Sequence, residues 1–256
     1  MNKKVLIVDI GNTATEFAVF EGENSQEFLG FFRFPDQLED AKKVLKEYSN
    51  RGFLVDDAMI FSVVPKTEKI VIKLIKETVN VDAKIFDWKN YNLTNKNKAI
   101  KEAIGADLLA DIKQAEKEYG GPCLIADFGT VTKLLELNEN GTFVGLSFIP
   151  GVEVSLKLFN DSTALLPESN LKDVPKGRLG LGTFESMRHG VYWSNVYYVK
   201  NVLESLKYKD CKLIITGGNS RFIKNEFPNA IVDTKLTLKG MYDLYEEVLR
   251  WNTKNI

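Results

Sequence analysis

An internal duplication limits the folds open to this chain more than any other feature. Residues 123–149, "CLIADFGTVTKLLELNENGTFVGLSFI", repeat residues 5–32, "VLIVDIGNTATEFAVFEGENSQEFLGFF", element by element. Each copy reads as an apolar strand, an Asp-x-Gly turn, a second strand, a Gly/Asn-bearing turn and a third strand. Asp9 answers to Asp127 and Gly11 to Gly129, and the hydroxyls of Thr13 and Thr15 answer to those of Thr130 and Thr132. A repeat used twice over such a span gives two related lobes, not a short-period solenoid.

The remaining patterning fits an α/β chain. Helical spacing of apolar residues covers 36–49, after Pro35. "DDAMIFSVVP" is a strand stopped by Pro65, a helix then runs to about Val79, and "AKIFDW" is a short strand. A long helical pattern from Ala99 to Tyr119 ends at Gly120-Gly121-Pro122. After the second copy come a Pro150-Gly151 turn, a helix and an irregular stretch at 161–183. Two long helical patterns then flank the strand "CKLIITGG". The boundary between the lobes falls near Gly120-Gly121, which gives domains of 1–119 and 120–256.

Composition excludes several classes of function. A net charge of −1 offers no electrostatic footprint for nucleic acid or an anionic membrane. No apolar run approaches the roughly 20 residues that span a bilayer, and "MNKKVLIVDIG" reaches Asp9 too soon for a signal peptide. Cys123 and Cys211 lie in apolar runs and read as buried free thiols, which points to the cytoplasm. The single histidine, His189, excludes Ser-His-Asp triads and histidine-based zinc sites.

One Asp-x-Gly hairpin alone is a turn whose glycine relaxes the backbone and whose carboxylate caps the loop. Two copies, each ending an apolar strand at the head of a lobe, point to ligand chemistry. Glycine admits a ligand close to the backbone, and N–H groups with hydroxyls form an anion-binding concavity. An aspartate repels phosphate but holds a hydrated Mg²⁺ that bridges phosphates. The expectation is a nucleotide cleft between the two lobes. Gly-Lys never occurs, so there is no Walker A loop, and no Gly-x-Gly-x-x-Gly follows a strand. "IITGGNS" carries Gly217 and Gly218. Alone it is an ordinary strand-to-helix turn; beside the hairpins it suits backbone packed on an adenine or ribose. In "IGADLLADIKQAE", Asp107 and Asp111 share a helix face. Asp111 reads as part of a solvated acidic face. Asp107 follows the small residues Gly105 and Ala106 and is placed to accept a hydroxyl proton during attack on a γ-phosphate.

Taken together these residues resemble the type III pantothenate kinases of the actin/hexokinase/Hsp70 ATPase superfamily. The resemblance runs through "DIGNT" (9–13), "FSVVP" (61–65), "IGAD" (104–107), "DFGTVT" (127–132), "IPG" (149–151), "STALLP" (162–167), "GTFESMRHG" (182–190) and "TGG" (216–218). It implies two ribonuclease-H-like lobes of mixed sheets flanked by helices, with ATP in the cleft between them. It also implies phosphorylation of pantothenate by ATP with Mg²⁺ and a monovalent cation, K⁺ or NH₄⁺, as the first step of coenzyme A synthesis, by a cytoplasmic homodimer. Carried over by position, Asp9, Gly11, Asn12 and Thr13 face the phosphates from one side, and Gly129, Thr130 and Thr132 from the other. Gly217 and Gly218 belong to the nucleotide site, and Asp9 holds Mg²⁺ through water. Asp107 is the general base, with Gly105 and Ala106 at the acceptor and Thr183 reaching it from the partner subunit. Asp127 is the monovalent-cation ligand.

The sequence departs from that pattern on the acceptor side. Leu108 stands where the family usually has arginine, Lys98 where a tyrosine is expected, and Lys133 where the second phosphate motif usually ends in threonine. Leucine offers no donor to a carboxylate or hydroxyl. Two alternatives therefore stand beside the pantothenate kinase: a kinase of this fold with another small hydroxylated acceptor, and a weakly active or non-catalytic ATP-binding regulator. Trp88, Trp193 and Trp251, with Tyr192, Tyr197 and Tyr198, read as core or subunit-interface packing, and His189 as structural.

Overall fold

The computed structural model describes residues 3–22, 25–87, 105–162, 171 and 174–254. The chain packs as two compact units, residues 1–114 with 237–256, and residues 115–236. The last helix therefore falls with the first unit, although it follows the second in sequence.

The first unit holds strands β1 (Val5–Ile10), β2 (Thr15–Phe20), β3 (Gln26–Phe32), β4 (Asp57–Ser62) and β5 (Lys84–Ile85), in the order β3-β2-β1-β4-β5. β1, β2 and β3 form an antiparallel meander, and β4 and β5 add in parallel. Central β1 is apolar on both faces, and Val5, Leu6, Ile7 and Val8 are completely buried. Helix α1 (Leu38–Asn50) buries Ala41, Leu45 and Tyr48, an apolar stripe at helical spacing. Helix α2 (Pro65–Val79) starts on Pro65, whose missing N–H costs nothing there, and ends at Asn80 in the left-handed conformation. Both helices close one face of the sheet over a core of Leu6, Val8, Ile10, Phe17, Ile60 and Ile75.

Helix α3 (Ala106–Glu118) begins in this unit, and helix α7 (Leu236–Lys254) packs against it. Tyr242 stacks on Phe20 with ring centroids 4.7 Å apart, and the Tyr245 hydroxyl donates to Asp57 Oδ2 at 3.1 Å. At Gly240 a Cβ would stand 2.0 Å from the Ala110 carbonyl oxygen, so only glycine lets α7 lie this close to α3.

The second unit repeats the first. Strands β6 (Cys123–Phe128), β7 (Val131–Leu137), β8 (Phe143–Pro150), β9 (Lys212–Thr216) and β10 (Ile231–Val232) run in the order β10-β9-β6-β7-β8. Here too three antiparallel strands are followed by two parallel ones. The duplication is thus one of topology as well as sequence, and both sheets are mixed and flanked by helices. Helices α4 (Val152–Ser162) and α5 (Thr183–Ser205) follow β8. Between β9 and β10 lies one helical turn, α6 (Ser220–Ile223), continued as 3-10 helix over Lys224–Glu226. Leu124, Ala126, Phe128, Leu156, Tyr192, Val196 and Ile215 form this unit's core. Both cysteines are free thiols, but only Cys123 is buried; Cys211 is half-exposed because it precedes β9. Burial raises the Cys123 thiol to about 12. No helix among the described residues is long and apolar enough to cross a membrane.

Candidate active site

In the first unit the site residues gather at the carboxyl ends of the parallel strands β1 and β4. Ligands of open α/β sheets bind at such ends. Asp9 is half-buried at the end of β1, and Gly11, Asn12 and Thr13 form the turn that follows. The Gly11 N–H donates to the Ala14 carbonyl at 3.0 Å, which closes the loop. Register sets Glu16 directly opposite Asp9, so two carboxylates share one face at the mouth of the hairpin. Glu16 escaped notice in the sequence, because only the pairing register shows which face it takes. Thr15 is buried and does not face the mouth.

Val63, from the "FSVVP" segment, joins this turn to the candidate base. Its N–H donates to the Ile10 carbonyl at 3.1 Å. Its Cγ1 lies 3.5 Å from where a side chain on Gly105 would begin. The same added Cβ would meet Asp107 Oδ1 at 2.7 Å, so the carboxylate folds back over bare glycine. Asp107 sits in the first turn of α3, where a negative charge complements the helix dipole, and it stays half-exposed. Ala106 and Leu108 flank it in the interior, Leu108 only 3% exposed. Asp111 corrects the expected acidic face. It is fully buried and accepts a hydrogen bond from Thr237 Oγ1 at 2.7 Å, on the first turn of α7.

In the second unit Asp127 is the penultimate residue of β6, and Gly129 and Thr130 form the turn. Two glycines hold this turn at close quarters. A Cβ on Gly151 would lie 2.4 Å from the Gly129 oxygen and 2.5 Å from the Thr130 oxygen. Gly217 adopts φ +86°, and a Cβ there would lie 2.3 Å from Asp127 Oδ1. Gly218 has open space around it. Asn219 donates from its N–H to the Phe128 carbonyl at 2.9 Å and from Nδ2 to the Gly129 carbonyl at 3.3 Å. The "TGG" segment therefore braces the second turn, and α6 beyond it is a single turn.

Two expectations at this turn change. Thr132 is 1% exposed and its hydroxyl donates to Asn195 Oδ1 of α5 at 2.6 Å, so it faces the core of its unit and not a phosphate. Asp127, expected to bind a monovalent cation, already has one: Lys133 Nζ stands 2.8 Å from its Oδ2. Lys133 is the residue directly opposite it in the β6–β7 pairing. Among the described residues no group of three or more His, Cys, Asp or Glu side chains is arranged to hold a metal by protein ligands alone.

Thr183 opens α5 and is exposed. His189 sits between the Glu185 and Lys176 carbonyl oxygens, at 2.7 and 2.8 Å, and ties the preceding segment to α5. Trp193 stacks on Tyr197 at 5.2 Å, and its indole N–H donates to the Gly177 carbonyl, so these aromatics secure the same segment. Trp88, Lys98 and most of "STALLP" lie outside the described residues, as do the side-chain surroundings of Trp251.

Two meander-and-crossover lobes, each with an Asp-x-Gly turn at its strand ends, are the fold of the actin-like ATPases. Among solved structures, a conserved Baf family protein from Campylobacter jejuni matches with a TM-score of 0.62 at 19% identity, over 96% of this chain and 99% of that one. The activator of 2-hydroxyisocaproyl-CoA dehydratase from Clostridium difficile, solved with bound ADPNP, matches with a TM-score of 0.51 at 13% identity, over 99% and 98%. The particular family comes from sequence. The profile of the type III pantothenate kinases matches residues 5–205. The type III pantothenate kinase of Agathobacter rectalis is 32% identical over 98% of this chain and all of its own. The chain belongs to the type III pantothenate kinase family and is a kinase.

Proposed function

We propose that the protein transfers the γ-phosphoryl group of ATP to the primary hydroxyl of pantothenate, giving 4'-phosphopantothenate and ADP, the first step of coenzyme A synthesis. The observation that carries this reading is the position of Asp107. Its carboxylate lies over Gly105, which Val63 also approaches, and Val63 is itself hydrogen-bonded to the end of β1 where the Asp9–Thr13 turn begins. A base and a phosphate-binding turn thus share one end of one sheet.

In the proposed step the substrate hydroxyl oxygen attacks the γ-phosphorus, Asp107 takes the hydroxyl proton, and the bond to the ADP oxygen breaks. N–H groups at Asn12 and Thr13 are assigned to phosphate at the first turn, whose loop the Gly11 N–H closes onto Ala14, and those at Gly129 and Thr130 to phosphate at the second turn. Gly218 has room for a nucleotide to approach. Mg²⁺ fits the first turn: it takes one or two carboxylates together with substrate phosphates, and Asp9 with Glu16 opposite presents that donor set. When bound it neutralises charge on the phosphates. Thr183, exposed at the start of α5, is assigned to the acceptor of a partner subunit in a cytoplasmic homodimer.

A second reading, another small hydroxylated acceptor, is favoured by Leu108, which is buried and offers no donor. ADP release with ATP and Mg²⁺, with and without pantothenate, separates the two. Pantothenate-dependent release is expected, and Asp107→Asn should lower it by about 10²–10⁴-fold while ATP binding persists. Unchanged turnover in that variant removes Asp107 from the mechanism. ADP release with a different hydroxylated acid only would establish the second reading.

A further inference from the structure

The two turns are equivalent by duplication, yet they carry opposite charge at one position. The residue across from Asp9 is Glu16, and the residue across from Asp127 is Lys133. Lys133 Nζ and Asp127 Oδ2 are 2.8 Å apart, with side chains 19% and 9% exposed. A pair this sheltered escapes most solvent screening and persists only where geometry holds it.

A monovalent cation needs a cage of oxygens, as in carbonyl-lined K⁺ sites. Three of the oxygens around Asp127 already accept a hydrogen bond, and a second cation there would meet the Lys133 ammonium as a like charge. Asp127 Oδ2 accepts from Lys133, and its Oδ1 packs against the Gly217 backbone. The Gly129 oxygen accepts from Asn219 Nδ2 at 3.3 Å, and the Thr130 oxygen accepts from the Gly151 N–H at 3.1 Å. The cation site that the resemblance implies therefore does not fit at Asp127.

We propose that Lys133 is itself the cation. Its ammonium, anchored by Asp127, supplies at the second turn the fixed positive charge that K⁺ or NH₄⁺ would bring, so the kinase binds ATP and turns over without a monovalent salt. An ammonium is a compact point charge with three donors, close to K⁺ in charge and size. Tethered to β7, it loses no translational freedom on reaching its site. The inference rests on the kinase reading above.

The test compares wild type, Lys133→Thr and Lys133→Met in choline chloride and in KCl of equal ionic strength. ADP release with pantothenate is measured, and ATP·Mg binding is followed in parallel by calorimetry. Wild type should give equal rates and equal ATP affinity in both salts. Lys133→Thr vacates the space and should lose about tenfold or more in choline, the scale of one charge-assisted contact, and recover in K⁺. Lys133→Met keeps the stem without the charge and should be weak in both salts. Strong K⁺ stimulation of wild type overturns the proposal, as does wild-type behaviour of either variant in choline. If Lys133→Thr does not fold, Lys133→Met decides by the same criterion. If wild type releases no ADP in either salt, the kinase reading fails, and the ATP titrations decide the role of Lys133 by the same comparisons.

Discussion

Adjacent glycines at the end of β9 should respond to alanine in opposite ways. Gly217 has φ +86°, and a left-handed non-glycine residue costs about 1–2 kcal/mol. The added methyl group would stand 2.3 Å from Asp127 Oδ1 and 2.6 Å from the Phe128 carbonyl carbon. Asp127 is pinned by Lys133 and the Phe128 atoms are backbone, so neither swings aside cheaply. Overpacking of this kind adds about 1–3 kcal/mol, for a total near 2–5 kcal/mol. For a chain of this size that lowers Tm by on the order of 5–20 °C. Gly218 meets nothing within 4 Å, and Gly218→Ala should stay within about 0.5 kcal/mol of wild type. Under the proposed function its effect appears in the KM for ATP. Thermal and urea unfolding of both variants makes the comparison. A Gly217→Ala protein that melts with wild type, or a Gly218→Ala protein that melts with Gly217→Ala, refutes the reasoning.

Thr132→Val preserves shape but leaves buried Asn195 without the hydroxyl donor it now has at 2.6 Å, so the urea midpoint should fall by the equivalent of about 1–3 kcal/mol with the KM for ATP unchanged. A large rise in KM at unchanged stability would return Thr132 to the phosphates. Burial works to raise the Asp57 carboxyl, but hydrogen bonds from Lys3 and Tyr245, with nearby lysine charge, outweigh it and leave it below 3.8. Its contribution is therefore present in full above that value and is lost as pH falls through the lowered one. Asp57→Asn should melt below wild type at neutral pH, with the gap closing in acid; a gap that stays constant down to pH 3 or so would contradict the linkage.

Much of this protein was legible from local pattern. Apolar runs with turn residues between them mark β1 to β3 and β6 to β8, and Pro65, Gly120-Gly121-Pro122 and Pro150-Gly151 punctuate the chain where helices and strands begin or end. The repeated Asp-x-Gly marks both turns, and the small residues before Asp107 mark the candidate base, because closeness to a ligand needs glycine or alanine within a few residues of the chemistry.

What tertiary structure alone decided is who meets whom. Asp111 looks solvated by helical period, yet Thr237 reaches it because α7 returns to the first unit. Thr132 looks like a phosphate ligand, yet its place opposite Phe128 turns the hydroxyl inward to Asn195. The pairing register sets Glu16 across from Asp9 and Lys133 across from Asp127, with the first loop one residue longer than the second. The amino-acid sequence determined by itself the elements and their turns, since periodicity and backbone freedom are properties of neighbours along the chain. Charge pairing and burial are properties of neighbours in space, and a shift of one residue in a strand register exchanges every one of them.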